Sequence, residues 1–236
     1  MLKDLLNLHK GDIISIVGSG GKTTTMFKLA DELVGNRVLL TTSTKILKEY
    51  GGKFITIDDI SQIKESLEKN IYLTGKCFTE YKFSGISNSD LNRVKKYFDY
   101  IIIEADGSKT LPLKGWRDNE PVILNSSNKT LGIIPMDVYK VELGKIEIFQ
   151  RELFFSLVGS NKRIFDTECI FKLINSPVGL FKNTTKEKYI LFNKCDNMEM
   201  VNICKEVVDD LTHKYNIDKN IKFICGSSLK GKYYGC

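Results

Sequence analysis

The segment Gly18-Ser19-Gly20-Gly21-Lys22-Thr23-Thr24 puts a glycine-rich turn directly before a cation and two hydroxyls. A triphosphate needs several backbone N–H donors aimed inward, and glycines allow the positive-φ turns and close approach that such a nest requires. Lys22 is placed to reach the β and γ phosphates and Thr23 to ligate magnesium (Mg2+), while a helix starting here adds its positive N-terminus. The full G-x-x-x-x-G-K-[ST] pattern would need glycine at position 16, where the chain has Ile16. The loop is therefore a shortened form, and its bland alternative is a tight strand-to-helix turn that happens to carry a lysine.

Two further constellations lie downstream. Ile101-Ile102-Ile103-Glu104-Ala105-Asp106-Gly107 ends an apolar run in carboxylates, and a carboxylate at the carboxyl end of a buried strand is where magnesium and its waters sit in phosphate-loop proteins. Glu104 and Gly107 fit a D-x-x-G pattern with Glu in place of Asp, and either Glu104 or Asp106 suits the metal. Asn193-Lys194-Cys195-Asp196 is an N-K-x-D tetrapeptide. An Asp carboxylate accepts from the two adjacent donors of guanine, whereas adenine presents an acceptor there, so Asp196 favours GTP over ATP, with Asn193 on the purine edge. Ser227, in Gly226-Ser227-Ser228, is placed to form a second base-contacting loop. Thr41 to Lys45 carries hydroxyls that suit the γ-phosphate or magnesium, or merely cap a helix.

These residues need a frame. Strand and helix signals alternate, the pattern of an α/β protein with a mostly parallel sheet flanked by helices, as in P-loop NTPases. Apolar runs predict strands at 13–17, 38–42, 54–57, 71–74, 100–103, 131–134, 189–192 and 221–224. Helical spacing is read at 23–34, from Asp58 or Asp59 through Ile60, Ile63 and Leu67, at 90–98, 149–158, 167–175 and 198–215. The chain reads as a single nucleotide-binding domain, with room for a small helical insert at about 149–180. Residues 107–129 are rich in Gly, Pro, Asn and Ser and read as a long functional loop. That loop brings Lys109, Lys114, Arg117 and Glu120 to the presumed γ-phosphate end, where cations suit an anionic substrate or partner.

Composition narrows the classes. The chain has 236 residues, 42% hydrophobic and 27% charged, which suits a soluble fold with a sizeable core. Its net charge of +6 is scattered along the chain and lacks interleaved aromatics on a basic face, so no nucleic-acid partner is expected. Met1 to Lys10 lacks the apolar core of a secretory signal, and no stretch reaches membrane-spanning length without charge; a cytoplasmic location and no membrane partner are expected. Six widely spaced cysteines and two histidines give no zinc or iron–sulfur spacing. Cys236 stands apart as a candidate exposed thiol.

The short phosphate loop resembles the G-x-x-G-K-T-T loop of Mur-type amide ligases. Taken together, that loop, Thr41-Thr42-Ser43-Thr44-Lys45, Glu104-Ala105-Asp106-Gly107-Ser108-Lys109, Leu111-Pro112-Leu113-Lys114, Glu120-Pro121-Val122-Ile123 and the N-K-x-D tetrapeptide resemble the YqeC family over nearly the whole chain, most specifically between Glu104 and Ile123. The family commonly shows His-Arg-Pro-Glu where this chain reads Gln150, Arg151, Glu152. The resemblance implies an accessory factor for selenium-dependent molybdenum hydroxylases, with a molybdenum hydroxylase or the molybdenum cofactor as partner. The residues themselves point to binding of a nucleoside triphosphate with magnesium, Lys22, Thr23, Glu104 and Asp106 acting in hydrolysis. An ATP-dependent ligase or kinase for a small anionic substrate, and a thiol-based selenium or sulfur carrier, are the alternatives.

Overall fold

Runs of Ile, Val and Leu without polar interruption suit strands covered on both faces, and such strands form the middle of this molecule. The computed structural model describes residues 1–48, 52–65, 67–184 and 186–236. In chain order the elements are α1 (Leu2–Leu5), β1 (Ile13–Gly18), α2 (Lys22–Asp31), β2 (Val38–Thr42), β3 (Lys45–Leu47), β4 (Ile55–Thr56), β5 (Ile71–Leu73), β6 (Lys76–Thr79), β7 (Lys82–Ser84) and α3 (Asn88–Val94). There follow β8 (Tyr100–Glu104), β9 (Leu113–Lys114), β10 (Lys129–Pro135), β11 (Ile148–Phe149), α4 (Arg151–Val158), α5 (Thr167–Asn175), β12 (Glu187–Asn193), α6 (Met198–Asp209), β13 (Ile221–Ser227) and β14 (Lys232–Gly235).

Nine strands form one sheet in the order β14-β13-β12-β10-β1-β8-β2-β5-β4. All neighbours run parallel except β14, which is antiparallel to β13. This is the mostly parallel α/β sheet with flanking helices expected of a P-loop NTPase-like fold. β1 lies between β10 and β8, with Gly18 opposite Ile133 and Ile16 opposite Glu104, so the phosphate loop and the Glu104 carboxylate leave the same edge of the sheet. One strand further out, Asn193 is in register with Pro135, which brings the N-K-x-D loop to that edge as well.

Alternation along the strands feeds both faces. Ile14, Ile16, Leu131 and Ile133 pack with Met26 and Leu29 of α2. Val17, Ile134 and Phe192 face the other way, into one apolar cluster with Phe154 of α4, Ile170 and Leu173 of α5, and Val201 and Val207 of α6. Ile101 and Ile103 meet Leu91 and Val94 of α3. Among the described residues no helix is long and apolar enough to cross a membrane.

Several expectations change. The helix read through Ile60, Ile63 and Leu67 is a single 3-10 turn, Ile60–Gln62. Asp59 caps it by accepting from Ser61 N and also accepts from Cys77 N, while Ile63 turns to extended backbone; residue 66 lies outside the described residues. The helix read from 149 starts at Arg151, because Phe149 pairs in β11 and Gln150 takes a left-handed φ of 54° that no helix interior accepts. The helix from Met198 ends at Asp209 and continues as a π-helical turn to Lys214. Within the long loop, Leu113 and Lys114 pair with Ile148 and Phe149. The small antiparallel sheet β3-β7-β6 and the edge strand β14 have no counterpart in the sequence reading.

Candidate functional site

The glycine-rich loop of residues 18–21 keeps its shape because neighbouring strands leave no room for a Cβ. Gly18, Gly20 and Gly21 have φ of 98°, 77° and 126°. A Cβ would lie 2.4 Å from Ile133 O at Gly18, 2.4 Å from Pro135 Cβ at Gly20 and 2.3 Å from Asn193 Nδ2 at Gly21. The ends of β10 and β12 therefore mould the loop, and α2 starts immediately after it, so its first N–H groups, which have no partners within the helix, point to the same place. Ser19 donates its hydroxyl to Pro112 O at 2.8 Å, tying the loop to the 107–129 segment. Thr24 is exposed on the first turn of α2.

Lys22 is buried and folds back on the loop. Its Nζ donates to Gly18 O at 2.7 Å and Ser108 Oγ at 3.1 Å, and lies 3.3 Å from Asp106 Oδ1. Asp106, fully buried, accepts through Oδ2 from Gly18 N (3.0 Å), Trp116 Nε1 (2.8 Å) and Lys114 Nζ (3.1 Å). Lys114 in turn reaches Gly107 O and Glu120 Oε2, at 2.6 and 3.3 Å. Two lysines and two carboxylates thus close a buried network behind the loop, and burial of this kind is tolerable only because each charge is paired.

Glu104 faces a different way. Thr23 donates its hydroxyl to Glu104 Oε2 at 2.7 Å, a pairing of hydroxyl and carboxylate at the mouth of the loop. Burial pushes the Glu104 carboxyl above the usual carboxylate range, against the opposing pull of Lys22 and the Thr23 hydrogen bond. The two candidate metal carboxylates therefore differ: Asp106 is held by protein donors, whereas Glu104 is paired with the hydroxyl expected to share its cation. Thr42 Oγ1 donates to Glu104 O, Ser43 Oγ donates to Val122 O, and the buried Thr41 hydroxyl has no partner among the described residues. The Thr41 to Lys45 segment caps no helix; it runs from β2 into β3.

On the other side of the loop, Asn193 Nδ2 donates to Gly20 O at 2.8 Å and Asn193 Oδ1 accepts from Ser228 N at 2.9 Å. Both amide atoms are thus engaged by backbone, which makes Asn193 a clasp between three loops where a purine-edge contact was expected. Ser228 also meets Thr25 of α2 through their hydroxyls at 2.7 Å. Asp196 is exposed, accepts from Ser227 Oγ at 2.5 Å and lines a recess with Ser227, Lys230 and Tyr234. Lys194 has a left-handed φ of 64° and pairs with Asp137 at 2.8 Å.

The profile of the YqeC protein family matches residues 14–152, a stretch that holds the phosphate loop, the Asp106 network and the loop beyond it. The chain belongs to the YqeC family. It is 27% identical over 211 residues to the uncharacterized protein YqeC of Escherichia coli strain K12, a match that covers 82% of this chain and 81% of that protein.

The YqeC-like segment between Glu104 and Ile123 divides into buried and open residues. Lys114 and Glu120 were expected to meet a substrate or partner; both are buried, 1% and 8% exposed, with Lys114 bonded to Asp106 and Glu120 paired with Lys114. Lys109 and Arg117 are the exposed cations of this loop. They and Lys114 surround one ring, Phe149, with charge-to-centroid distances of 5.6, 5.8 and 5.8 Å. The Gln150 amide, turned so that its oxygen faces Arg117, accepts from Nε and Nη2 at 3.2 and 2.6 Å. Gly115 allows the close approach, since a Cβ there would lie 2.3 Å from Phe154 N. Trp116, Ser108 and Pro135 belong to the site as well, and sequence reasoning gave none of them a role. The lone tryptophan inside the most family-specific segment was the available signal.

Proposed function

We propose that this protein binds a nucleoside triphosphate with magnesium, GTP in preference to ATP, and hydrolyses it as an accessory factor for the maturation of selenium-dependent molybdenum hydroxylases or their cofactor. The observation that carries the nucleotide reading is the three-glycine loop at the centre of the sheet, with Lys22 buried inside it and Thr23 bonded to Glu104 at its mouth. A hydroxyl and a carboxylate, both hard oxygen donors, suit a magnesium ion that keeps waters and phosphate oxygens as its other ligands. When bound, the ion supplies charge neutralisation at the β and γ phosphates. Lys22 binds those phosphates by leaving Asp106, the loop and helix N–H groups hold their oxygens in place, and Glu104 orients Thr23. In this reading Asp196, exposed beside Ser227, accepts from guanine. The client is proposed from family membership, and Lys109 and Arg117 are its proposed contacts.

Calorimetric titration with slowly hydrolysed GTP and ATP analogues, with and without magnesium, tests this reading in wild type, Asp196→Ala and Lys22→Ala. Magnesium-dependent guanine preference that Asp196→Ala abolishes supports it. Full affinity and hydrolysis in Lys22→Ala, or a preference for ATP, overturns it. The cations around Phe149 favour a second reading, an ATP-dependent ligase or kinase acting on a small anionic substrate. A phosphorylated or ligated small-molecule product would establish that reading, and partner-stimulated hydrolysis without such a product would oppose it.

A further inference from the structure

Two large side chains stand in solvent where β12, β13 and β14 end, and both line the recess that holds Asp196. Met198, the first residue of α6, is 55% exposed, and Tyr234, on β14, is 38% exposed. Strand register explains one wall. Tyr234 is opposite Cys225 across the antiparallel β13–β14 pair, so it projects from the sheet face that carries Cys225, the face covered by α6. The loop from β12 into α6 sets the other wall. Cys195 N donates to Gly226 O at 2.9 Å, and Asn197 caps α6 by accepting from Met200 N at 2.8 Å, which holds Met198 in the first turn.

Between these walls the recess is polar. Asp196 Oδ1 accepts from Ser227 Oγ at 2.5 Å, Ser227 Oγ accepts from Lys230 N at 3.2 Å, and Lys230 Nζ donates to Asp196 O at 2.8 Å. Asp196 Oδ2 has no partner among the described residues. Lys194, the lysine of the N-K-x-D tetrapeptide, pairs with Asp137 and does not line the recess. A free acceptor beside an exposed phenol ring and an exposed thioether suits a flat heteroaromatic ligand, whose faces take the apolar walls and whose donor edge takes the carboxylate. A cation would use the carboxylate and leave both apolar side chains in water. The recess opens at the edge of the sheet where the glycine loop leaves β1, and Asn193 ties the two together through Gly20 and Ser228. In the order β13-β12-β10-β1, with adjacent strands about 4.8 Å apart, the distance from β1 to the β12–β13 boundary is about 12 Å, a span for a ribose and a phosphate chain.

We infer that Met198 and Tyr234 are the walls of a purine-base site, packing against the base while Asp196 reads its edge. This inference rests on the nucleotide reading and assigns the base's affinity to two residues outside the N-K-x-D tetrapeptide. Stacking is tolerant of base identity because every base has a π face. The walls therefore supply affinity for any purine nucleotide, and the carboxylate supplies the choice between purines.

The test is calorimetric titration, with magnesium, of wild type, Tyr234→Ala, Tyr234→Phe, Met198→Ala and Asp196→Ala against slowly hydrolysed GTP and ATP analogues and against tripolyphosphate, which has no base. Tyr234→Ala is expected to weaken both analogues by the same factor, at least about fivefold. Met198→Ala weakens both in the same way, Tyr234→Phe keeps the ring and the wild-type affinity, and Asp196→Ala weakens the GTP analogue more than the ATP analogue. Tripolyphosphate binds wild type and the wall variants alike. Unchanged affinity for both analogues in Tyr234→Ala, or a loss of tripolyphosphate as large as the loss of nucleotide, overturns the walls and leaves the phosphate-loop reading standing. Wild type that binds none of the three probes overturns the nucleotide reading, and this inference with it.

Discussion

Glu104 and Asp106 are two residues apart and opposite in circumstance. Burial raises the Glu104 carboxyl, so its folded value lies above its unfolded one. Such a group favours the fold below the unfolded value, and that advantage is lost as pH rises through the folded value. Ionising Glu104 is therefore a cost to the protein without its ligand. Glu104→Gln is expected to raise the melting temperature of the nucleotide-free protein at pH 7 and to remove the magnesium dependence of nucleotide affinity, which calorimetry and thermal scans would record together. Asp106 is bound instead by Lys22, Lys114, Trp116 and Gly18 N. Lys114→Met removes the cation shared by Asp106 and Glu120, and breaking a buried pair of this kind costs about 3–5 kcal/mol. Urea unfolding of that variant checks the value.

At the scale of elements, the phosphate loop is shaped by strands outside it. Gly20→Ala sets a Cβ against Pro135 at a φ of 77°, and is expected to cost about 1–3 kcal/mol, or to open the loop, with loss of nucleotide binding in either case. The start of α5 is governed by charge. Asp166 caps it, and hydrogen bonds from Lys162 and then Lys172 hold Glu168 down to about 2. The depressed value means that this contribution is present above the unfolded value of 4.5 and is lost as pH falls toward 2. Amide exchange in α5 is expected to accelerate over that window, and Glu168→Gln to flatten the response. Central strands were legible in the sequence because burial on both faces leaves unbroken apolar runs, and the glycines before Lys22 marked the turn between β1 and α2. The 3-10 turn after Asp59 was not, since Ile60 and Ile63 satisfy one turn as well as a helix. Exposed strands such as β6 carry no apolar alternation to read. The loop contacts of Asn193 were not legible for another reason: its partners, Gly20 and Ser228, are far away in the chain, and only the sheet order brings them together.

For the molecule as a whole, ligand binding and stability are one measurement. Nucleotide at a hundred times its Kd adds about 2.7 kcal/mol, which for a chain of this size is a rise of roughly 5–10 °C in melting temperature. Wild type with magnesium and GTP is expected to show that rise and Lys22→Ala to lose it. The same network bears on what the empty protein ignores. Lys22 and Lys114 are matched by Asp106 and Glu120, so the cradle carries its own counter-ion before any ligand arrives. A solitary sulfate or orthophosphate must displace Asp106 from Lys22 with few contacts to offer in return, whereas a polyphosphate chain brings several oxygens to the loop at once. On the proposed nucleotide reading, discrimination against the small anions that crowd any aqueous compartment follows from this internal anion, which only a longer one displaces.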